Sequence, residues 1–237
     1  MKFYKLFLII LSISIPLFGQ STFVPDDNFE QALINLGYDD ILDDFVQTIK
    51  IYSITELEIE DRNIEDLTGI SDFTNLQILR CMYNQLTVLD LSQNTALLEL
   101  EVGENQLDTL DLSNNTDLIT LYAWENNLQS IDLTHNTKLE FLDIGNNPLT
   151  NLDVSQNELL VGLETWGINL TSLDVSNNDS LRYLHIGDCQ LEELNISSNV
   201  FLEELSIFNN NIQELDISNN TKLYWLDVTY NNLTALD

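Results

Sequence analysis

The stretch LQILRCMYNQLTVLDLSQNTA, residues 76–96, and its successor LLELEVGENQLDTLDLSNNTD, residues 97–117, decide the fold. Laid one above the other they match at Leu76 and Leu97, Leu79 and Leu100, Asn84 and Asn105, Leu89 and Leu110, Asp90 and Asp111, and Asn94 and Asn115. The same step of 21 residues carries the first leucine on through Leu118, Leu139, Leu160, Leu181, Leu202 and Leu223. It carries the second through Leu121, Leu142, Leu163, Leu184, Leu205 and Leu226. Self-similarity at such a period marks a solenoid, in which each coil buries its apolar face only by stacking on its neighbours. Residues one period apart are then vertical neighbours, and the sequence reads as a surface.

Each unit has the form L-x-x-L-x-φ-x-x-N-x-L followed by x-x-L-D-φ-S-x-N-x-x, where φ is apolar. Both halves alternate apolar and polar residues over a short run, which predicts a strand with one buried face on each side of the coil. One asparagine column runs without a gap through Asn94, Asn115, Asn136, Asn157, Asn178, Asn199 and Asn220. A second runs through Asn84, Asn105, Asn126 and Asn147, reads Ile168 and Cys189, and returns as Asn210 and Asn231. Stacked asparagines are expected to satisfy the backbone groups that turns leave unpaired.

The repeats run over 76–237, with the last incomplete, and residues 54–75 read as a slightly longer first coil. Residues 22–53 do not repeat. There Asp26 and Asp27 are capping candidates ahead of Phe29, Ala32, Leu33 and Leu36 at helical spacing, and Gly37 suits a helix end. The prediction is a short N-terminal helix that covers the open end of the solenoid. The coil is cut short at Asp237 without a closing cap, which suggests a fragment or an end that pairs with something else.

At the start, MKFYKLFLIILSISIPLFGQ places Lys2 and Lys5 ahead of an apolar run, the pattern of a secretory leader spanning 1–20, with cleavage after Gly19 or Gln20. No later stretch is apolar enough to cross a bilayer. The chain has 39 acidic residues against eight Lys/Arg, a net charge of −31, and two of those lysines lie in the leader. A phosphate backbone needs cationic side chains, so nucleic acid is excluded as a partner, and membrane insertion is not expected. Cationic proteins, divalent ions and neutral ligands remain compatible. Cys81 and Cys189 lie five coils apart, roughly 25 Å at strand spacing, too far to form a disulfide with each other.

The L-x-x-L-x-L-x-x-N-x-L core is that of leucine-rich repeats, and units such as LTVLDLSQNTALLEL resemble the 21-residue repeats of internalin J-like bacterial surface proteins. The segment FVPDDNFEQALINLGYDD, followed by DLTGISDFTNL, resembles the opening of secreted leucine-rich repeat proteins of Bacteroidetes-type bacteria. The resemblance covers nearly all of residues 22–237. It implies a β-rich, right-handed leucine-rich repeat solenoid of short coils with a parallel sheet on the concave side. It also implies export to the cell surface or medium and a role in recognition or adhesion. One departure is plain. Cys81 stands where such repeats stack a cysteine ladder, but the following coils place Val102, Ala123, Ile144, Thr165, Ile186, Ile207 and Val228 there.

The two halves of the coil differ in a way that bears on function. The second half is monotonous, with Asp90, Asp111, Asp132, Asp153, Asp174, Asn195 and Asp216 in one column, and Ser or Thr two residues on. A structural hydrogen-bonding role is the first reading, and a ribbon of calcium ions the second. The first half varies. Its outward columns, second, fourth, sixth and seventh after the leading leucine, hold Tyr83, Tyr122, Trp124, Phe141, Trp166, Tyr183, Phe208, Trp225 and Tyr230. The sixth column reads Met82, Gly103, Trp124, Gly145, Trp166, Gly187, Phe208, Thr229, and the second reads Ile78, Glu99, Thr120, Phe141, Gly162, Tyr183, Glu204, Trp225. Aromatics fall on alternate coils in each column, a checkerboard with a super-period of 42 residues, which also reads as rings covering neighbouring glycines.

Carboxylates share this face, among them Glu99, Glu101, Asp143, Glu164, Glu204 and Asp227, and Arg80 is the one permanent cation in these columns. Glu164, His185 and Ser206 fall on successive coils in an acid–base–nucleophile order, but a flat face without an oxyanion donor does not suit catalysis, and no enzyme is expected. The expectation is a recognition or adhesion module that binds an extracellular protein through Tyr122, Trp124, Phe141, Glu164, Trp166, Tyr183, His185, Phe208, Trp225 and Asp227. The alternative is a glycan-binding module that stacks sugars on the aromatic rows. No cofactor is expected.

Overall fold

The computed structural model describes residues 19–236, so the expected leader lies outside the described residues but for its last two. The body is a stack of coils built on a nine-stranded parallel sheet. Before it come β1 (Ser21–Phe23), α1 (Asp27–Asn35), β2 (Phe45–Gln47) and α2 (Thr48–Ile51). The sheet consists of β3 (Glu56–Glu58), β4 (Ile78–Arg80), β5 (Glu99–Glu101), β6 (Thr120–Tyr122), β7 (Phe141–Asp143), β8 (Gly162–Glu164), β9 (Tyr183–His185), β10 (Glu204–Ser206) and β12 (Trp225–Asp227). The remaining two strands are β11 (Glu214–Leu215) and β13 (Ala235–Leu236).

Register follows the repeat. Ile78 pairs with Glu99, Glu99 with Thr120 and Thr120 with Phe141, each one period on, while the longer first coil pairs Glu56 with Ile78. Every strand of the nine-stranded sheet is three residues long, with its central leucine turned inward. Leu57, Leu79, Leu100, Leu121, Leu142, Leu163, Leu184 and Leu205 are all buried, as is the column from Cys81 to Ile207 beside them. At roughly 2 kcal/mol for each fully buried aliphatic side chain, these stacked columns are the main source of stability.

Past each strand the chain bends through a left-handed residue at the seventh column. Tyr83, Glu104, Glu125, Asn146, Asp188, Asn209 and Tyr230 all have φ between 49° and 59°, and Gly167 has 71°. A side chain there costs about 1 kcal/mol, so the bend needs an anchor. The asparagine that follows supplies it. Asn126 donates through Nδ2 to the carbonyls of Val102 (3.0 Å), Ala123 (3.2 Å) and Trp124 (3.3 Å), and its Oδ1 accepts from the Leu107 amide at 3.0 Å. Asn84, Asn105 and Asn210 repeat the pattern. Cys189 partly imitates it, its thiol donating to the Thr165 carbonyl at 3.2 Å, whereas Ile168 offers neither donor nor acceptor.

The other side of the coil departs from expectation. A second strand was expected in every unit, but among the described residues only β11 and β13 pair on this side, as a short parallel ladder. The Asp of the L-D-φ-S segment takes the amide two residues on, both on the β11 coil, where Asp216 accepts from Ser218 at 2.8 Å, and on the others. Asp90 accepts from Ser92, Asp111 from Ser113 and Asp153 from Ser155, each at 2.9 Å. An amide held by its own side chain is not available to the next coil, so the segment turns there and a strand on this side, as at β11, is confined to the residues before the Asp. These hydrogen bonds hold Asp90, Asp111, Asp153 and Asp174 below the usual carboxylate range.

The N-terminal helix forms where the sequence placed it. Asp26 caps it by accepting from the Asn28 and Phe29 amides, both at 2.9 Å, and Gly37 leaves it at φ 81°. The other oxygen of Asp26 accepts from the Glu65 and Asp66 amides at 2.7 and 2.9 Å, which fastens the helix to the first coil. Phe29 stacks on Phe73 at 6.2 Å. The antiparallel β1–β2 pair was not foreseen. Buried Glu30 braces it by accepting from the amides of Asp43, Asp44 and Phe45 at 3.0–3.1 Å.

Candidate functional site

Strand register converts the second and fourth columns into two rows on the sheet face. Arg80, Glu101, Tyr122, Asp143, Glu164, His185, Ser206 and Asp227 lie side by side in one, and Ile78, Glu99, Thr120, Phe141, Gly162, Tyr183, Glu204 and Trp225 in the other. The sixth and seventh columns are not on the strands at all: the seventh is the left-handed residue of the bend and the sixth stands just before it. Trp124, Trp166, Phe208, Tyr83 and Tyr230 therefore flank the sheet.

The checkerboard has a packing cause. A Cβ built on Gly103 would stand 2.7 Å from the Trp124 ring, on Gly145 2.9 Å from Trp166 and on Gly187 1.9 Å from Phe208. Each sixth-column ring thus lies in a notch left by the glycine one coil earlier, half-buried against backbone. Phe141 leans the other way, over Gly162 of the following coil, where a Cβ would be 2.9 Å from its ring. The glycines are present for space rather than for φ. Trp225 is 43% exposed and sets its edge against the His185 ring at 5.6 Å, and Tyr83 meets Trp124 edge-on at 5.9 Å.

Charge is arranged in two clusters. Arg80 reaches Glu56 (2.7 Å), Glu58 (2.7 Å), Glu99 (2.5 Å) and Glu101 (3.1 Å) at once. Burial opposes its charge, but those hydrogen bonds outweigh it and hold the guanidinium above its ordinary value. Burial pushes Glu101 up against the pull of Arg80. The second cluster sets His185 between Glu164 and Glu204, with Asp143 on the far side of Glu164. The histidine Nδ1 stands 3.7 Å from Glu164 and its Nε2 3.6 Å from Glu204, and Nε2 is buried without a hydrogen bond. Glu164 raises the His185 value, burial opposes it, and Glu204 adds to the rise. Burial, reinforced by Glu164, lifts Asp143 to about 6.

Five of the expected residues, Tyr122, Phe141, Glu164, Tyr183 and His185, surround one open depression of about 280 Å³, with Gly162 in its lining and Asp143 and Glu204 at its sides. Trp225 stands beside it through His185. Trp124, Trp166 and Phe208 lie on their glycine notches away from it, and Asp227 is engaged in its own turn, accepting from the Thr229 amide at 3.0 Å. Sequence reasoning missed Gly162 as part of the depression, though its alternation with Phe141 and Tyr183 was the available signal. It also missed Tyr224, whose hydroxyl donates to Glu204 across one coil. The acid–base–nucleophile order does not assemble, because the two nitrogens of His185 face Glu164 and Glu204 and leave Ser206 aside. Among the described residues no cluster of three or more His, Cys, Asp or Glu is arranged to hold a metal ion, and no helix is long and apolar enough to cross a membrane. Cys81 and Cys189 are buried free thiols, and burial pushes both up.

Among solved structures, the functional domain of InlJ from Listeria monocytogenes, which includes a cysteine ladder, superposes with a TM-score of 0.88 at 34% identity over 92% of this chain. The fold is an internalin J-like leucine-rich repeat solenoid. A leucine-rich repeat protein of Leptospira interrogans matches over 79% of the chain with a TM-score of 0.75 at 22% identity, a likeness of fold alone. Internalin J of Listeria monocytogenes serotype 4b (strain F2365) is 38% identical over 71 residues, 30% of this chain. The chain spans half of the solved InlJ domain, 52% of the Leptospira protein and 8% of that curated internalin J sequence. No family model matches. A ladder of cysteines is absent here, since Cys81 alone occupies its column among the described residues.

Proposed function

We propose that the sheet face is a recognition surface for an extracellular protein that presents a basic segment, and that the face has no catalytic role. The observation that carries this reading is the depression between Phe141 and Tyr183. Two aromatic rings two strands apart, roughly 9.6 Å, stand among carboxylates on a face whose one permanent cation is already consumed by four glutamates. Aromatic anchors with a charged surround are how interfaces concentrate binding energy, and the net charge of −31 steers cationic partners to the protein. The leader-like N-terminus and the likeness to the InlJ domain support an extracellular, adhesive or surface setting.

Arrays of extracellular protein ectodomains and of glycans, probed with the protein at about 0.05 and 0.3 M salt, test this. The expected result is a protein ligand whose capture falls with salt and is lost when Phe141 and Tyr183 are both changed to alanine. Capture of glycans alone, indifferent to salt, would overturn it in favour of sugar stacking on the aromatic rows.

A further inference from the structure

We propose that the depression between Phe141 and Tyr183 is a seat for one guanidinium group, the side chain of an arginine on the partner; this rests on the reading of the face given above. The protein itself shows the chemistry. Five coils before His185, in the same column, Arg80 sits at the centre of four carboxylates drawn from the second and fourth columns of the strands on either side. His185 holds the corresponding place in the second cluster, yet it is a short imidazole whose nitrogens stop 3.6 and 3.7 Å from their carboxylates, beyond good hydrogen-bond length. Asp143 accepts one backbone amide, from Gly145 at 3.0 Å, and no side-chain cation reaches it. Of the four positions flanking His185 on the neighbouring strands, Glu164 and Glu204 repeat the acidic surround of Arg80, and Gly162 and Ser206 do not. Asp143, one strand beyond Glu164, adds a third carboxylate to a depression that holds no guanidinium of its own.

Shape and stacking choose arginine over lysine. The opening of about 280 Å³ is lined by the Phe141 and Tyr183 rings, and the absence of a side chain at Gly162 lets the Phe141 ring lie down over the sheet as one wall of it. A guanidinium can stack on an aromatic face while its fork donates to two carboxylates, and here Asp143 and Glu164 are adjacent in register. A lysine ammonium lacks both the plane and the fork. Burial and Glu164 raise Asp143 to about 6, so a guanidinium seated beside it favours release of the proton that Asp143 holds below that pH.

The test is calorimetry and NMR titration of the full protein with the blocked peptide acetyl-Gly-Arg-Gly-amide, beside its lysine and citrulline counterparts. The arginine peptide is expected to bind saturably in the millimolar range and to shift the Phe141 and Tyr183 ring signals. Citrulline, isosteric but neutral, should bind roughly tenfold more weakly or worse, and lysine should also fall behind. Glu164→Gln and Tyr183→Leu, each checked for an unchanged melt, should weaken the arginine peptide by a similar factor. Equal binding of citrulline or lysine, binding that survives both substitutions, or no binding at all would overturn the proposal. A protein ligand that needs Phe141 and Tyr183 but is not displaced by the peptide would sink the guanidinium seat alone, whereas a ligand indifferent to both rings would sink the reading of the face.

Discussion

Replacing Asn126 by alanine removes a single amide, and with it four hydrogen bonds, to the carbonyls of Val102, Ala123 and Trp124 and from the Leu107 amide. Asn126 is 6% exposed, so water cannot readily substitute. At about 1 kcal/mol net for each well-formed bond, with less for the two longer ones and an added cost for the stranded Leu107 amide, the loss comes to about 3 kcal/mol. For a chain of this size that lowers Tm by roughly 6–12 °C. The loss should be local to the bend, because Glu125 beside it holds a φ of 51° that the asparagine helps to fix. Urea and thermal melts followed by tryptophan fluorescence measure it. The reverse change is Cys189→Asn, where the thiol already points at the Thr165 and Gly187 carbonyls at 3.2 and 3.3 Å. It should raise stability by about 1 kcal/mol. A loss under about 0.5 kcal/mol at Asn126, or destabilisation at Cys189, would refute the view that this column anchors the bends.

Arg80→Gln leaves Glu56, Glu58, Glu99 and Glu101 to repel one another. The side chain is only partly buried, so the expected cost is about 2 kcal/mol at low salt, partly recovered as added salt screens the carboxylates in melts at two ionic strengths. Stability should rise as pH falls from 7.5 to about 5. Asp143, raised from 3.8 to about 6, binds its proton more readily folded than unfolded, so it penalises folding above pH 6 and is relieved on acidification through that value. His185, raised above 6.5, likewise contributes below that pH and loses its contribution as pH climbs. Asp143→Asn should flatten the Asp143 part of the profile, worth about 2 kcal/mol. Below about pH 4 the trend reverses, as Asp90, Asp111, Asp153 and Asp174 lose the charges that hold their turns. Gly187→Ala should destabilise by about 1–3 kcal/mol, since the added carbon would stand 1.9 Å from the Phe208 ring, and Phe208→Leu in the same chain should return part of that loss.

The architecture was legible because it depends on columns, and columns survive in one sequence. Leu79, Leu100 and Leu121 announce a buried strand, and Asn105 and Asn126 announce a turn that must be satisfied. Less legible was where the strand ends. Trp124 and Glu125 continue the alternation on paper, yet the chain has already bent into the left-handed region, a change set by hydrogen bonds from the next residue. The second strand is cut short for a related reason, because the aspartates that marked it as repetitive take the amides two residues on and leave even β11 only Glu214 and Leu215. The aromatic alternation was visible, but whether Trp124 leans on Gly103 or Phe141 on Gly162 depends on side-chain direction, which spacing does not encode. The β1–β2 pair lies in the one stretch without a repeat, where no neighbouring coil offers a comparison.

The central claim is that recognition takes place on the sheet face between Phe141 and Tyr183. It is tested most directly by measuring the affinity of a captured protein ligand for two paired variants, Phe141→Ala/Tyr183→Ala on that face and Val88→Ala/Leu159→Ala among exposed apolar residues away from it. A loss of roughly a hundredfold in the first pair with an unchanged second pair is the predicted result, as expected for paired anchor residues. An unchanged first pair with a weakened second would contradict the account and move the binding surface off the sheet.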